Sequence, residues 1–168
     1  MDKQQNPGKN IIITGERHVG KSTAAGKALA ALGRPFHGFQ TRFDGAPDQQ
    51  RALILSPYGG GRGEIAAKWQ DGQRQVFLSV FDTLGVKLLS GNGGVTVMDE
   101  LGRFEADAND FRRAVTAVFD SDADVLAVIR LDAAAWMQEL KYRSDVTVIT
   151  VTPENRDGIP AKILELIR

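Results

Sequence analysis

Two glycines, a lysine and a serine stand at fixed spacing in the segment GERHVGKST, residues 15–23. Gly15, four intervening residues, Gly20, Lys21 and Ser22 match the pattern G-x-x-x-x-G-K-[ST] in full. Glycines let backbone N–H groups approach a phosphate closely, a lysine places charge on the β- and γ-phosphates, and a serine hydroxyl can ligate Mg²⁺. The segment therefore predicts a loop that binds a nucleoside triphosphate, in preference to a plain strand-to-helix turn. The predicted nucleotide contacts are Gly15, Glu16, Arg17, His18, Val19, Gly20, Lys21, Ser22 and Thr23, with Lys21 also catalytic and Ser22 also a metal ligand.

His18 stands where many phosphate-binding loops carry a third glycine. A side chain at positive φ would cost about 1 kcal/mol or more. We therefore expect His18 to adopt a backbone conformation that is open to any residue. Its imidazole is expected either beside the γ-phosphate or, as we favour, in solvent at the rim of the loop.

An acidic pair follows the apolar run VTVM, residues 95–98. Ligands bind at the carboxyl ends of parallel strands, so Asp99 is expected to hold Mg²⁺, often through water. Glu100 is then well placed to orient and polarise an attacking water as a general base. The alternative is a solvated acidic turn, which the presence of a phosphate-binding pattern elsewhere in the chain disfavours.

These residues require strands that end at the site and helices that leave it. Residues 10–14 are apolar and β-branched, which predicts a buried strand, and the apolar spacing over 21–32 predicts the helix that follows. The other elements expected in the α/β core are helix 79–90, strand 95–98, helix 107–119, strand 124–129, a helix around 133–140, strand 145–151 and helix 159–167. Strands that alternate with amphipathic helices predict a mostly parallel sheet covered on both faces.

Residues 36–77 differ from this pattern. Short strand-like pieces alternate there with the turn sequences DGAPDQ, PYGGGR and QDGQ. We interpret them as a small antiparallel β insert whose turns are exposed, within a single domain that spans 1–168.

The composition excludes several other kinds of protein. The 168 residues carry 21 basic and 21 acidic side chains, so the chain lacks the positive field that non-specific nucleic-acid binding needs. There is no cysteine and there are two histidines, which excludes disulfides and thiol catalysis and disfavours a zinc site. No apolar run approaches the ~20 residues of a membrane span, and the first ten residues lack a signal-peptide pattern. We expect a cytoplasmic protein without a membrane partner, and the sequence leaves the question of a protein partner open.

Three segments, TGERHVGKST, VMDELGRFE and VTPENRDGIP, together resemble the small P-loop nucleoside-triphosphatases of bacteria, archaea and animals, the cancer-related nucleoside-triphosphatase type. The resemblance implies a RecA-like α/β core and slow, Mg²⁺-dependent hydrolysis of several nucleoside triphosphates. It also implies phosphate and metal binding by the loop residues, metal binding by Asp99 and a base role for Glu100. The chain departs from the family with Arg103 in place of lysine, Phe104 in place of methionine, and GFQTRFD, residues 38–44, where only part of the family pattern is kept.

Other residues are weaker candidates. The resemblance suggests that Asn155 and Arg156 lie beside the base or ribose, and a helix-entry turn is the alternative. The guanine-reading N-K-x-D pattern is absent, which predicts a loose base preference. Three arginines could each supply a cation to the transition state, and each is more simply explained as a surface or structural residue: Arg103, Arg130 and Arg143.

The sequence thus predicts an Mg²⁺-dependent nucleoside-triphosphatase acting on ATP, GTP or related triphosphates. A nucleotide or small-molecule kinase is the alternative enzyme, although no arginine-rich lid segment is evident. A nucleotide-dependent accessory or switch protein that hydrolyses slowly is the third possibility.

Overall fold

The computed structural model describes residues 9–46 and 50–167. Residues 1–8, where the sequence shows no signal-peptide pattern, and residues 47–49 of the DGAPDQ turn lie outside the described residues. Apolar, β-branched runs form most of the central strands, because such side chains pack well on a pleated surface. The strands are β1 (Asn10–Thr14), β2 (Phe36–Asp44), β3 (Arg51–Pro57), β4 (Glu64–Gln70), β5 (Gln73–Val76), β6 (Val95–Leu101), β7 (Asp124–Ile129) and β8 (Val146–Thr150).

Five helical segments connect these strands. Gly33 ends the first helix in the left-handed conformation that a glycine adopts without strain, and its N–H is bonded to Leu29 O. The helices are α1 (Lys21–Leu32), α2 (Leu78–Val80, a π-helical turn Phe81–Gly85, and Val86–Leu89), α3 (Asn109–Asp120), α4 (Ala135–Leu140) and α5 (Ile159–Ile167), the last preceded by a 3-10 turn, Arg156–Gly158. The helices predicted over 21–32 and 159–167 are confirmed at those bounds.

All eight strands join in one sheet, in the order β5-β4-β3-β2-β6-β7-β1-β8. The five strands from β2 to β8 pair in parallel, and β3, β4 and β5 extend the sheet in antiparallel fashion. Strand β7 therefore lies between β1, which leads into the glycine-rich loop, and β6, which carries Asp99. The predicted α/β fold, a mostly parallel sheet with helices on both faces, is confirmed.

Alternating side chains of β1 divide the core between the two faces of the sheet. Ile11 and Ile13 pack with α1 and α5 on one face, and Ile12 packs with α2, α3 and α4 on the other. All three side chains are buried. Helices thus pack against β1 on both faces of the sheet, which fixes the position at which the following loop begins.

The first strand of the predicted β insert belongs to the parallel part of the sheet. Residues Phe36 to Gln40 of β2 pair in parallel with β6, and only the other side of β2 pairs antiparallel with β3. The antiparallel excursion is therefore a continuation of the main sheet and begins after β2. In its turns, Asp44, Gly45 and residues 59–62 are exposed, as predicted, whereas Ala46, Pro57 and Tyr58 are half-buried.

Candidate active site

The glycine-rich loop takes its shape from two positions that only glycine fills without strain. Gly15 has φ of 145°, and a methyl group there would lie 2.5 Å from Val151 O. Gly20 has φ of 110° and directly precedes α1. Between them, the Val19 side chain points into the core, whereas the other predicted contacts of the loop line a cavity. The loop therefore presents its backbone and polar side chains at the start of α1, where the positive end of the helix dipole favours an anion.

His18 corrects one expectation from the sequence. Its φ is 59°, so it adopts the left-handed conformation that was expected to be avoided. His18 is the third residue of a turn that the Val19 N–H closes by donating to Glu16 O at 3.4 Å, and some turns of this kind require a positive φ at that position. The imidazole is exposed and lies at the edge of the cavity.

Lys21 is the buried cation of the loop. Its ammonium group donates hydrogen bonds to Gly15 O at 2.9 Å and to Glu16 O at 2.7 Å. Only 7% of the residue is exposed, and this burial lowers the pKa of the ammonium group. The nearby Glu100 and Asp99 carboxylates oppose that shift. The side chain thus folds back along its own loop, with its charge held inside the cavity.

Within the described residues, Ser22 and Asp99 form the only side-chain hydrogen bond between the glycine-rich loop and the acidic end of β6. The Ser22 hydroxyl donates to Asp99 Oδ1 at 2.8 Å. Asp99 is 8% exposed, and burial raises the pKa of its carboxyl, which the Ser22 hydrogen bond and Lys21 partly offset.

This pair fits Mg²⁺, which binds proteins through one or two oxygen ligands and takes the rest from phosphate and water. In residues 9–46 and 50–167, no group of three or more His, Cys, Asp or Glu side chains could hold a metal ion. A metal here would accordingly depend on the triphosphate for part of its coordination shell.

A bulge in β6 lets two consecutive acidic residues face the same cavity. Asp99 pairs with Val128 of β7, and Leu101 pairs with Ile129, so Glu100 is the extra residue between them. In a regular strand the two side chains would point to opposite faces, whereas here both line the cavity. Burial raises the pKa of the Glu100 carboxyl, and the positive charges of Arg130 and Lys21 oppose the shift.

The cavity has a volume of about 610 Å³ and extends well past the loop. Beyond Glu100 it is lined by Thr41 and Phe43 of β2 and by the segment Arg130 to Asp132, which follows β7. Sequence reasoning missed Thr41, Phe43, Leu131 and Asp132, and it included Arg130 only as one of three candidate arginines. In the structure, Phe43 and Leu131 are large apolar side chains that are 37% and 49% exposed, and no local sequence pattern marks them.

Glu105 is a further acidic residue that the sequence did not single out. It is 3% exposed, and its Oε1 accepts a hydrogen bond from Gly102 N at 2.6 Å. Burial raises the pKa of Glu105 to about 7. Glu105, Glu100 and Arg130 together line a small pocket of about 60 Å³.

The remaining candidates separate by location. The Asn155 side chain accepts from Thr152 N and donates to Thr150 O, so it holds its own turn together, and it does not line the main cavity. The Arg156 side chain packs beside the Gly20 end of the loop.

Of the three arginines, only Arg130 lines the main cavity. Arg143 pairs with Asp120 and Asp145 at the opposite edge of the sheet. Arg103 lies 3.7 Å from Asp132 and stacks on Phe104. Arg130 is thus the one candidate arginine of the three that could reach a bound phosphate.

Within the described residues, no helix has both the length and the apolar character that a membrane crossing requires.

Comparison with known proteins gives a consistent set of relatives. The family model described as NTPase matches residues 10–164. Nucleoside-triphosphatase THEP1 of Thermotoga petrophila is 30% identical over 166 residues, which cover 94% of this chain and 92% of the relative. The crystal structure of THEP1 from Aquifex aeolicus matches with a TM-score of 0.77 and 27% identity, over 95% of this chain and 99% of that chain. The solution structure of a human cancer-related nucleoside triphosphatase matches with a TM-score of 0.74 over 96% of this chain and 98% of that chain; at 24% identity it shows a shared fold.

Proposed function

This chain belongs to the NTPase family, and we propose that it hydrolyses nucleoside 5′-triphosphates to the diphosphate and inorganic phosphate. The resemblance seen in the sequence is thereby confirmed at the level of the family. The observation that carries the proposal is the convergence of Lys21, Ser22, Asp99 and Glu100 on one cavity, although they come from two separate stretches of the chain. That arrangement supplies a phosphate-binding loop, a metal-binding pair and a base in a single site.

Lys21 and the loop amides bind the phosphates in this proposal. Nζ of Lys21 is already held inside the loop by Gly15 O and Glu16 O, so its charge is in place before a ligand arrives. The residues from Gly15 to Thr23 are proposed to contact the nucleotide, with Val19 contributing its backbone because its side chain belongs to the core.

Ser22 and Asp99 would hold Mg²⁺, because their oxygens are already in contact and Asp99 is shielded from bulk water. When bound, Mg²⁺ supplies positive charge that stabilises the phosphate oxygens during transfer. A single carboxylate and a hydroxyl are consistent with a metal that enters together with its triphosphate.

Glu100 is proposed as the general base. The oxygen of a water molecule attacks the γ-phosphorus while Glu100 accepts one proton of that water. The bond between the γ-phosphorus and the β–γ bridging oxygen breaks, and its electron pair stays on the diphosphate. Partial burial makes the Glu100 carboxylate a stronger base than a solvated one, while Arg130 and Lys21 favour its ionised form.

Turnover is proposed to be slow and tolerant of different bases. Asn155, which the family resemblance placed beside the base, uses its amide within its own turn. Arg156 beside Gly20 remains the proposed contact on that side of the loop. Localisation in the cytoplasm stays a prediction from the sequence.

The test is phosphate release from ATP, GTP, CTP and UTP, each with Mg²⁺ and with EDTA as the metal-free control. We expect release from all four with Mg²⁺, at rates within about tenfold of one another, since a site without base-specific hydrogen bonds discriminates weakly. No release from any triphosphate, or release that is undiminished by EDTA, would contradict the proposal.

One observation favours phosphoryl transfer to an organic acceptor as a second activity. The cavity continues past Glu100 to the exposed side chains of Phe43 and Leu131. Their apolar surface could bind an organic acceptor, whereas an attacking water molecule would make no use of it. Transfer would be detected as triphosphate consumption that exceeds phosphate release when a mixture of alcohols and nucleosides is supplied. Equal amounts of diphosphate and free phosphate under those conditions would leave hydrolysis as the sole reaction.

A further inference from the structure

Arg130 follows the last residue of β7 and therefore emerges between the two halves of the site. Strand β7 is flanked by β1, which leads into the phosphate-binding loop, and by β6, which carries Asp99 and Glu100. Arg130 lines the same cavity as Lys21 and Ser22, and only 12% of its side chain is exposed. Its position in the sheet thus places a guanidinium group where the loop and the acidic residues meet.

The backbone around Arg130 is held by several hydrogen bonds. Arg130 N donates to Leu101 O at 3.0 Å, and Ala134 N donates to Gly102 O at 3.1 Å, so the two segments that flank the cavity are tied together. The Gln138 side chain donates to Leu131 O at 2.7 Å and so braces the turn from within. A rigid turn of this kind fixes the direction in which the Arg130 side chain leaves the chain.

The aliphatic stem of Arg130 has little room to move. A methyl group built on Gly102 would lie 3.3 Å from Arg130 Cδ, which shows how closely the stem approaches that glycine. At the tip, Nε and Nη2 donate to the two carboxylate oxygens of Asp132 at 2.8 and 3.1 Å. This two-point contact fixes the plane of the guanidinium.

The remaining nitrogen faces the reacting side of the site. Nη1 lies 3.8 Å from Glu100 Oε1, which is beyond hydrogen-bond distance. Among the described residues, Nη1 makes no hydrogen bond, although the group carrying it is mostly buried. A donor that is held in a fixed plane, makes no hydrogen bond and lies at ion-pair distance from the general base is suited to charge that develops during the reaction.

We propose that Arg130 is a catalytic residue whose guanidinium contacts the transferred phosphoryl group in the transition state, with Asp132 as its positioning residue. The proposal rests on the proposed function, since it assigns a further role within the same hydrolysis. Negative charge spreads over the oxygens of the transferring group, and a guanidinium in the same chain can stabilise it without help from a partner. Arg103 and Arg143 are excluded by location, as neither lines the cavity.

The test compares wild type with Arg130→Ala and with the matched control Arg103→Ala. Arg103 approaches the same Asp132, at 3.7 Å, but its side chain is 54% exposed. For Arg130→Ala we expect kcat to fall about 10²- to 10³-fold, the cost typical of losing one preorganised donor. Affinity for a non-hydrolysable triphosphate analogue should stay within about threefold of wild type, because the contact is made in the transition state. Arg103→Ala should keep wild-type turnover.

Two further measurements distinguish this role from a structural one. Diphosphate with aluminium fluoride and Mg²⁺ mimics the transferring group, and Arg130→Ala should lose affinity for that mimic while keeping affinity for the triphosphate analogue. Free guanidinium ion, kept below concentrations that unfold the protein, should restore part of the lost rate. Arg130→Lys, which keeps the positive charge, serves if the alanine variant does not fold, and it too should be slowed at least about tenfold because lysine cannot reproduce the planar two-point contact.

The experiments distinguish failure of the Arg130 inference from failure of the proposed function. Wild-type turnover in a folded Arg130 variant, or equal losses of triphosphate affinity and rate, would overturn the inference while the proposed function stands. Equal slowing by Arg103→Ala would also overturn it. Absence of phosphate release by the wild-type chain would overturn the proposed function, and the inference with it.

Discussion

The Ser22 hydroxyl donates a 2.8 Å hydrogen bond to Asp99 Oδ1, although the strands that lead to these residues, β1 and β6, are separated by β7. The contact closes the gap between the phosphate-binding loop and the acidic strand end. It therefore brings together the two oxygen donors that a small divalent cation would need, and the first prediction follows from it.

Asp99→Asn should weaken the response to Mg²⁺. Asparagine keeps the shape and can still accept from Ser22, so the fold should survive, but it removes the negative charge that attracts the cation. We expect the Mg²⁺ concentration for half-maximal turnover to rise about 10- to 100-fold, as when metal-site partners are replaced. The measurement is phosphate release against Mg²⁺ concentration, with Asp122→Asn, at an exposed position away from the site, as the control. An unchanged Mg²⁺ dependence would show that Asp99 does not serve the metal.

Lys21→Ala should weaken triphosphate binding and leave the fold intact. The ammonium group contacts only Gly15 O and Glu16 O in the described residues, so the core loses little. A charged hydrogen bond contributes about 1.5–3 kcal/mol, which predicts a loss of affinity on the order of 10- to 100-fold. Titration calorimetry with a non-hydrolysable analogue measures this, and Lys27→Ala, exposed on the same helix, is the matched control. If the alanine variant binds as wild type does, the loop does not hold phosphate as proposed.

Glu100→Gln should separate binding from turnover. Glutamine keeps the size of the side chain but cannot accept a proton at neutral pH, so phosphate release should slow about 10²- to 10⁴-fold. Affinity for the triphosphate should remain near that of wild type, because Lys21, Ser22 and the loop amides are untouched. Calorimetry and steady-state phosphate release on the same preparation provide both values, with Glu139→Gln, an exposed residue of α4, as the control. A wild-type rate in Glu100→Gln would remove Glu100 from the role of base.

Glu105→Gln should make the free energy of unfolding depend less on pH. Burial raises the pKa of Glu105 to about 7, whereas its ordinary value is 4.5. The pKa of Glu105 is higher in the folded state than in the unfolded state, so the folded state binds the proton more tightly. The resulting contribution to the free energy of unfolding is complete below about pH 4.5 and is lost as pH rises through about 7. At 1.36 kcal/mol per pKa unit, that loss is about 3 kcal/mol.

Glutamine does not titrate, and its side-chain oxygen can still accept the hydrogen bond from Gly102 N. The variant should therefore not lose this stability as pH rises. Denaturant unfolding at pH 5, 6, 7 and 8 measures it. Wild type should lose more stability than the variant between pH 5 and 8. Parallel pH profiles for the two proteins would place the pKa of Glu105 near its ordinary value.

Local patterns were sufficient to predict the loop and the acidic strand end. Gly15, Gly20, Lys21 and Ser22 are close together in sequence, and their types follow from the needs of a phosphate. The elements around them were predicted by apolar periodicity, which also gave the bounds of β1 and α1. His18 was predicted wrongly, because the loop as a whole imposes a conformation that the residue by itself disfavours.

The rest of the site depends on strand order, which no local pattern records. Arg130 and Asp132 reach the cavity because β7 lies between β1 and β6. Thr41 and Phe43 reach it because β2 pairs with the other side of β6. The bulge that turns Glu100 toward Asp99, and the burial of Glu105, likewise arise from packing between distant segments.

The reversal of strand direction after β2 has an evolutionary consequence. Since β3 runs antiparallel to β2, β4 to β3 and β5 to β4, the carboxyl ends of β2 and β4 and the turn 71–72 lie at the same edge of the sheet as the phosphate-binding loop. Hairpin turns tolerate changes of length and residue type better than the crossovers between parallel strands. Insertions and substitutions in the turn 71–72 should therefore accumulate without altering the cavity, because neither residue of that turn lines it.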